Sequence, residues 1–150
     1  MGPAQMPDAS LPEYHCYRCI YAWTPRRTPV RMCPRCKSRL WDQPPTFHVK
    51  LGTGLGIPEL LGPNRDRIIA IAKKYGVRRV RVFGSVRRRE ATRRSDIDLL
   101  VDDLPNASLL DHARLEVELR ELLGRRVDVV EEDSLLWFVR PRVLAEAVAL

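Results

Sequence analysis

The feature that most constrains the fold of this 150-residue chain is a Gly-Ser pair followed ten residues later by two aspartates. Gly84-Ser85 and Asp96-Ile97-Asp98 together form the pattern G-S-x10-D-x-D. Residues i and i+2 of an extended strand point to the same face, so the pattern predicts two neighbouring carboxylates. Two like charges so close repel each other unless a cation lies between them. Because a Gly-Ser turn suits a phosphate chain, we predict a site for a metal-bound nucleoside triphosphate.

A third carboxylate lies inside an apolar run further along the chain. Asp128 is flanked by Val127, Val129 and Val130, where a lone charge is costly unless it is paired or bound to a metal. An aspartate at a strand edge that faces water or pairs with an arginine is the alternative. Alongside the first two carboxylates, Asp128 predicts a complete two-metal site, since Mg²⁺ prefers hard oxygen ligands.

Positive charge is concentrated around the Gly-Ser pair. The formal net charge is +7, and the segment from Lys73 to Arg94 holds ten Lys/Arg residues and a single acid, Glu90. A basic approach to an acidic site suits a polyanionic substrate. A solvated basic surface or a general nucleic-acid patch is the alternative interpretation.

The pattern of apolar residues from Asn64 onward predicts an α/β domain. Strands are predicted where Val, Ile and Leu alternate with polar residues, and helices where apolar residues recur every three to four positions. We expect a helix capped by Asn64 and ended by Gly76, a strand over 77–83 and a short helix through Arg89. After these we expect a strand over 96–101, a helix over 109–123, a strand over 126–130 and a closing helix over 143–150.

Four cysteines near the amino terminus predict a second module. Cys16, Cys19, Cys33 and Cys36 form the pattern C-x2-C-x13-C-x2-C, which is close to the spacing of a tetrahedral zinc site. Two disulfides or a redox pair are the alternatives. Because residues 1–12 show no secretory signal, we expect a reducing cytoplasmic setting and structural Zn²⁺. No stretch approaches the roughly 20 apolar residues of a membrane helix, so we expect no membrane association.

The spacing of these signals predicts a zinc ribbon over 12–43, a linker over 44–63 and the α/β domain over 64–150. The linker is rich in Pro and Gly, which argues against a regular element there. Tyrosines, tryptophans and arginines surround the cysteines, and we expect the aromatic residues to form the ribbon's small core and docking surface rather than a base-stacking platform. They could bind nucleic acid or a partner protein, and the sequence leaves both open.

Three of these runs together resemble a known family. Val82-Phe83-Gly84-Ser85, the stretch Ser95 to Val101 and Val127-Asp128-Val129-Val130 are similar to the minimal nucleotidyltransferases (MNT type) of the DNA polymerase β superfamily. The resemblance covers residues 64–150. It implies a mixed sheet flanked by helices and transfer of a nucleoside monophosphate from a triphosphate, with release of pyrophosphate.

The resemblance also implies roles for particular residues. Gly84 and Ser85 would hold the β- and γ-phosphates of ATP, and Arg88 matches an arginine of the family motif. Asp96, Asp98 and Asp128 would ligate two Mg²⁺ ions, with Asp128 also able to act as a base. Arg89 stands where the family usually has glycine, so it would be strained if the turn requires a positive φ.

Many proteins of this type resemble antitoxins that silence a HEPN-type ribonuclease toxin by adding AMP to a tyrosine. The resemblance therefore implies such a toxin as the partner and its tyrosine as the acceptor. The alternative is a non-catalytic binding module, in which the ribbon holds a partner protein or nucleic acid and the aspartates are a relic.

Overall fold

The structure is a computed structural model that describes residues 12–102, 104 and 107–150. The segment in which no secretory signal is predicted, residues 1–12, lies outside the described residues except for Pro12. The chain divides after Thr46 into two compact units. Within the described part, no helix has both the length and the apolar character needed to cross a bilayer.

The first unit is built around a short hairpin and the cysteines. Strands β1 (Tyr14–His15) and β2 (Ala22–Trp23) are antiparallel, with Tyr14 opposite Trp23. Cys16, Cys33 and Trp41 are buried at its centre. So small a core buries little apolar surface, so this unit needs a further source of stability.

The second unit is a four-stranded mixed sheet in the order β5-β4-β3-β6. Strand β4 runs parallel to β5 and antiparallel to β3, and β3 is antiparallel to β6. The predicted mixed sheet with flanking helices is therefore confirmed. The strands are β3 (Val80–Phe83), β4 (Ile97–Val101), β5 (Val127–Glu131) and β6 (Val148–Ala149). The helices are α1 (Ile57–Leu60), α2 (Arg65–Lys74), α3 (Gly84–Arg87), α4 (Leu109–Leu123) and α5 (Arg140–Glu146).

The core of this unit forms where α2 and α4 meet each other and the sheet. Ile68 of α2 and Leu115 and Leu119 of α4 are buried in one cluster with Ile97 and Leu99 of β4. Helix α4 has clear ends, because the Ser108 side chain accepts from the Asp111 backbone N–H and the helix ends at left-handed Gly124. This core fixes the strands that carry the aspartates.

The carboxyl-terminal segment differs from the prediction of one helix over 143–150. Helix α5 starts earlier, at Arg140, with Pro141 in its first turn, and ends at Glu146. Val148 then pairs with Val82 of β3, and the backbone N–H of Leu150 donates to Val80 O at 3.0 Å. Without β6, strand β3 would be an edge strand with unpaired backbone groups. Strand pairing therefore outweighs the local helical periodicity of this segment.

Three smaller expectations differ in part from the structure. Strand β3 begins at Val80 rather than at 77, since the backbone N–H groups of Arg78 and Arg79 donate instead to the Asp102 carboxylate, both at 3.0 Å. Asn64 occupies the N-cap position of α2, as predicted, but its side chain makes no capping hydrogen bond. The range 44–63 contains helix α1, where the Glu59 carboxylate accepts from the backbone N–H of Gly56 at 2.9 Å.

Candidate active site and metal centre

Sheet pairing brings two of the three predicted carboxylates side by side. Asp98 of β4 and Asp128 of β5 are register partners in the parallel pair, so their side chains share one face of the sheet. Asp96 precedes β4 by one residue and lies two positions before Asp98. The spacing in sequence therefore becomes proximity in space, because β4 and β5 are neighbours.

Gly84 lies directly beneath the carboxylate of Asp98. Gly84 directly follows Phe83, which is the register partner of Asp98 in the pairing of β3 with β4. Its φ is +71°, and a Cβ added to it would lie 2.1 Å from Oδ2 and 2.9 Å from Cγ of Asp98. Only glycine permits this contact, and Ser85 follows within the first turn of α3. Gly84 therefore lies beside the carboxylate of Asp98, whose register partner is Asp128.

The electrostatics of the site favour a cation. Burial raises the pKa of Asp98, and the nearby charges of Asp128, Asp96 and Glu146 raise it further, while Arg88 opposes them. Crowded carboxylates in a half-buried setting are destabilised as anions until a positive charge joins them. The arrangement therefore calls for a cation at this end of the sheet.

One protein cation already contacts two of these carboxylates. The Nε atom of Arg126 lies 3.2 Å from Oδ1 of Asp128 and 3.9 Å from Oδ2 of Asp96. Its side chain is 64% exposed, so it can move away at little cost. Arg126 is not among the predicted site residues, although its position two residues before Asp128 places it on the same strand face.

The guanidinium of Arg88 is bound by two acidic side chains. Its guanidinium donates to Glu146 and to Glu90, both at 2.7 Å, and the side chain of Glu146 is buried. The hydrogen bond to Glu90 is the main reason that the pKa of Arg88 is raised. Glu146 was not predicted. The sequence feature that indicates Glu146 is a single acid within an apolar run, because a buried acid is costly unless it is paired.

The turn after α3 is strained, as the departure from the family motif predicts. Arg89 has φ of +56°, and its guanidinium pairs with Glu59 at 2.9 Å. The backbone N–H groups of Gly52 and Gly54 donate to the carbonyls of Arg88 at 2.7 Å and Arg89 at 2.6 Å. We name residues 52–56 the glycine strap. It holds a left-handed non-glycine residue in place beside the site.

The four cysteines form a separate cluster in the first unit. Their sulfur atoms all lie within 4.8 Å of one another, with 3.7 Å between Cys16 and Cys36 and between Cys19 and Cys33. All four are free cysteines. Four sulfurs at about 2.3 Å from a zinc ion at the centre of a tetrahedron would be about 3.8 Å apart. The cluster therefore has the dimensions of a zinc site with four thiolate ligands.

The two cysteine pairs sit in equivalent turns. The residue after each second cysteine, Ile20 and Lys37, is left-handed with φ of 60° and 61°. Burial opposes ionisation of Cys33, but backbone N–H groups, first that of Cys36, outweigh it and lower its pKa to about 7. Burial raises the pKa of Cys19 to about 11. A thiolate is the form that binds metal, so the second turn favours the ligand state.

The two candidate metal centres differ in how tightly their donors converge. Within residues 12–102, 104 and 107–150, only the cysteines form a group of three or more donors whose ligand atoms all lie within 4.8 Å of one another. The carboxylates are more widely spread, with Arg126 between two of them. Their hard oxygen atoms fit Mg²⁺, whereas the sulfurs fit zinc.

Comparison with known proteins identifies the second unit. The family model described as "Nucleotidyltransferase domain" matches residues 65–150. MJ0435 of Methanocaldococcus jannaschii, named provisionally as a protein adenylyltransferase, is 46% identical over 84 residues, covering 56% of this chain and 90% of that protein. The protein adenylyltransferase MntA of Thermococcus cleftensis is 45% identical over 78 residues, covering 52% of this chain and 79% of MntA.

Solved structures share the fold. A structure described provisionally as a minimal nucleotidyltransferase superposes with a TM-score of 0.57 at 45% identity, covering 66% of this chain and all of that one. A toxin–antitoxin structure with AMP-PNP gives a TM-score of 0.52 at 23% identity, covering 57% of this chain and 71% of that one; this likeness concerns the fold alone. From the match over residues 65–150 and these relatives, we conclude that the chain belongs to the nucleotidyltransferase-domain family and is a nucleotidyltransferase.

Proposed function

We propose that this enzyme transfers AMP from ATP to a tyrosine of a HEPN-type toxin and thereby acts as its antitoxin in the cytoplasm. The observation that carries the proposal is the contact between Gly84 and the Asp98 carboxylate, next to Asp128. The names of the relatives as protein adenylyltransferases support the reaction. The toxin–antitoxin structure with AMP-PNP has the same fold and motivates the choice of partner.

The residues of the site would divide the reaction between them. Gly84 and Ser85 would hold the β- and γ-phosphates, since a glycine lets the backbone approach them closely. Asp96, Asp98 and Asp128 would hold two Mg²⁺ ions, which neutralise charge on the phosphates when bound. Asp128 would accept the proton of the acceptor hydroxyl. The acceptor oxygen then bonds to the α-phosphorus, the bond to the β-phosphate oxygen breaks, and pyrophosphate leaves.

Arg88 would act from its place between Glu90 and Glu146. The two acids fix the guanidinium in one orientation, which lets it direct a positive charge towards phosphate without losing side-chain entropy on binding. Arg126 would compete with divalent ions for the carboxylates of Asp96 and Asp128, and its exposed side chain would be able to move away from them.

We further propose that Cys16, Cys19, Cys33 and Cys36 hold one structural Zn²⁺. The sulfur separations of 3.7 Å support this assignment, together with the absence of any disulfide among these free cysteines. Bound zinc would stabilise a hairpin whose own core is small.

The function can be tested by transfer of label from ATP. The protein is incubated with Mg²⁺, the protein encoded by the neighbouring gene, and ATP labelled on either the α- or the γ-phosphate. AMP transfer requires that α-label, and not γ-label, becomes fixed to a tyrosine of the partner. Asp98→Asn should lower the rate at least about 100-fold, because even loss of a residue that supports a metal ligand costs about 10–100-fold.

The matched control is Asp66→Asn. Asp66 is an exposed aspartate in the first turn of α2, so this variant loses the same charge away from the site. It should label the partner at the native rate. If Asp98→Asn transfers label as fast as Asp66→Asn, the catalytic assignment is wrong. If the partner is neutralised without any label, the binding-module alternative is correct.

A further inference from the structure

An open groove of about 550 Å³ adjoins the Gly-Ser turn in the second unit. Arg88 and Glu90, which follow α3, form part of its wall. The backbone N–H of Arg88 donates to the carbonyl of Gly84 at 3.0 Å. The backbone N–H of Glu90 donates to the carbonyl of Ser85 at 2.9 Å. This wall is therefore joined directly to the two residues that would hold the phosphates of ATP.

Two other segments of the same unit line the groove. Helix α5 contributes Arg142 and Glu146. The stretch over 47–50, upstream of α1, contributes the half-buried Phe47 and the exposed Lys50. This stretch lies before residue 65, where the match to the family model begins. Small-molecule sites have volumes of roughly 300–1,000 Å³, so the groove is large enough for part of a nucleotide.

Two of the cations that line the groove are free to bind an anion. The carboxylates in its lining, those of Glu90 and Glu146, both accept from the guanidinium of Arg88 at 2.7 Å. The side chains of Lys50 and Arg142 are exposed and make no ion pair or hydrogen bond with the described residues. Because Arg88 already binds both acids, the positive charges of Lys50 and Arg142 remain available to a ligand.

We infer that Lys50 and Arg142 bind the terminal phosphates of ATP, beyond the contacts of Gly84 and Ser85. The inference rests on the proposed use of ATP. Adenine, ribose and the ring of an acceptor tyrosine are neutral, so two free cations give them no advantage. The phosphates carry the negative charge of ATP, and guanidinium and ammonium groups bind phosphate through charge-assisted hydrogen bonds. The link between the groove wall and the Gly-Ser turn places these cations beside the expected phosphate position.

Isothermal titration calorimetry of the full chain with ATP and with AMP tests this inference, in the presence of Mg²⁺ and without an acceptor. Lys50→Gln with Arg142→Gln should weaken ATP binding about tenfold to 100-fold, the effect expected when two exposed hydrogen bonds to a charged group are lost. AMP lacks both terminal phosphates, so its affinity should not change. Unchanged AMP binding also shows that the double variant is folded.

The matched control is Arg67→Gln with Lys73→Gln, which removes the same charge from two exposed positions of α2. It should change neither affinity.

Three results would overturn the inference. Equal weakening of ATP and AMP would assign the groove to the nucleoside part of the substrate. An unchanged ATP affinity would do so too, even if binding of the partner protein were lost, as expected of a groove for an acidic protein segment. A native chain that binds AMP as tightly as ATP would leave no terminal-phosphate contact to explain. Because these titrations contain no acceptor, a failure to label a tyrosine would count against the proposed function alone.

Discussion

Replacing Gly84 by alanine should lower the rate of catalysis about 100-fold without unfolding the protein. The new Cβ would lie 2.1 Å from Oδ2, 2.9 Å from Cγ and 3.2 Å from Cβ of Asp98. Rotation of the carboxylate alone cannot relieve three contacts that extend back to Cβ. The Asp98 side chain must therefore move bodily away from the Gly-Ser pair, which changes the distances between the three carboxylates.

The expected size of the effect follows from these distances. An ordinary contact begins at about 3.4 Å, so Oδ2 must retreat by about 1.3 Å. Misplacing a reacting group by about 1 Å can cost about 100-fold in rate, which is about 2.7 kcal/mol of transition-state stabilisation. The left-handed φ of +71° adds about 1–2 kcal/mol of backbone strain to the folded state.

Gly124→Ala provides the matched control. Gly124 is also left-handed, with φ of +63°, but nothing lies within 4 Å of an added Cβ. Both variants should lose stability in chemical denaturation through left-handed strain, and Gly84→Ala should lose more because Asp98 must also move. Only Gly84→Ala should lose activity when labelling by α-labelled ATP is measured. Activity within about threefold of the control would refute the reasoning, because a displacement of about 1.3 Å would then have no catalytic consequence.

Three further predictions concern strain, metal and pH. Arg89→Gly should raise the free energy of unfolding by roughly 0.5–1 kcal/mol. The relief of left-handed strain at this position exceeds both the entropy cost of glycine and the loss of the exposed ion pair with Glu59. A lower denaturation midpoint would contradict this. Cys33→Ser should lower zinc content below one per chain and shift tryptophan emission to the red, whereas full zinc content would count against the four-cysteine site. Glu132→Gln should destabilise the protein by about 1–3 kcal/mol at neutral pH, because Arg81 bonds to the carboxylate and lowers its pKa. A lowered carboxyl pKa gives stability that is lost as pH falls, so the two melting curves should converge in acid; a pH-independent gap would refute this.

Much of the fold was predictable because its signals are local. The alternation of apolar and polar residues predicts strands that carry Asp98 and Asp128, and the parallel pairing of β4 with β5 places these two residues in register. The positive φ of Arg89 followed from a single position in the motif. The strand periodicity and the turn position are local constraints, whereas the pairing of β4 with β5 joins residues about 30 positions apart.

The missed features depend on contacts between distant parts of the chain. The final residues form β6 because β3 offers an open edge, which no periodicity within 143–150 reveals. Glu146 bonds to Arg88, 58 positions away in sequence. Arg126 reaches Asp96 only because β4 and β5 are neighbours. Such pairings are decided by tertiary structure, so the local pattern could not show them.

The glycine strap has a consequence for how this enzyme can be cut into parts. The family model begins at residue 65, yet the backbone of Gly52 and Gly54 bonds to the turn that holds Arg89. Leu61, fully buried in the main cluster, also precedes that boundary. A fragment trimmed to the family boundary would lose these hydrogen bonds and expose apolar surface. The smallest autonomous catalytic fragment of this chain is therefore expected to be larger than the region that the family model matches.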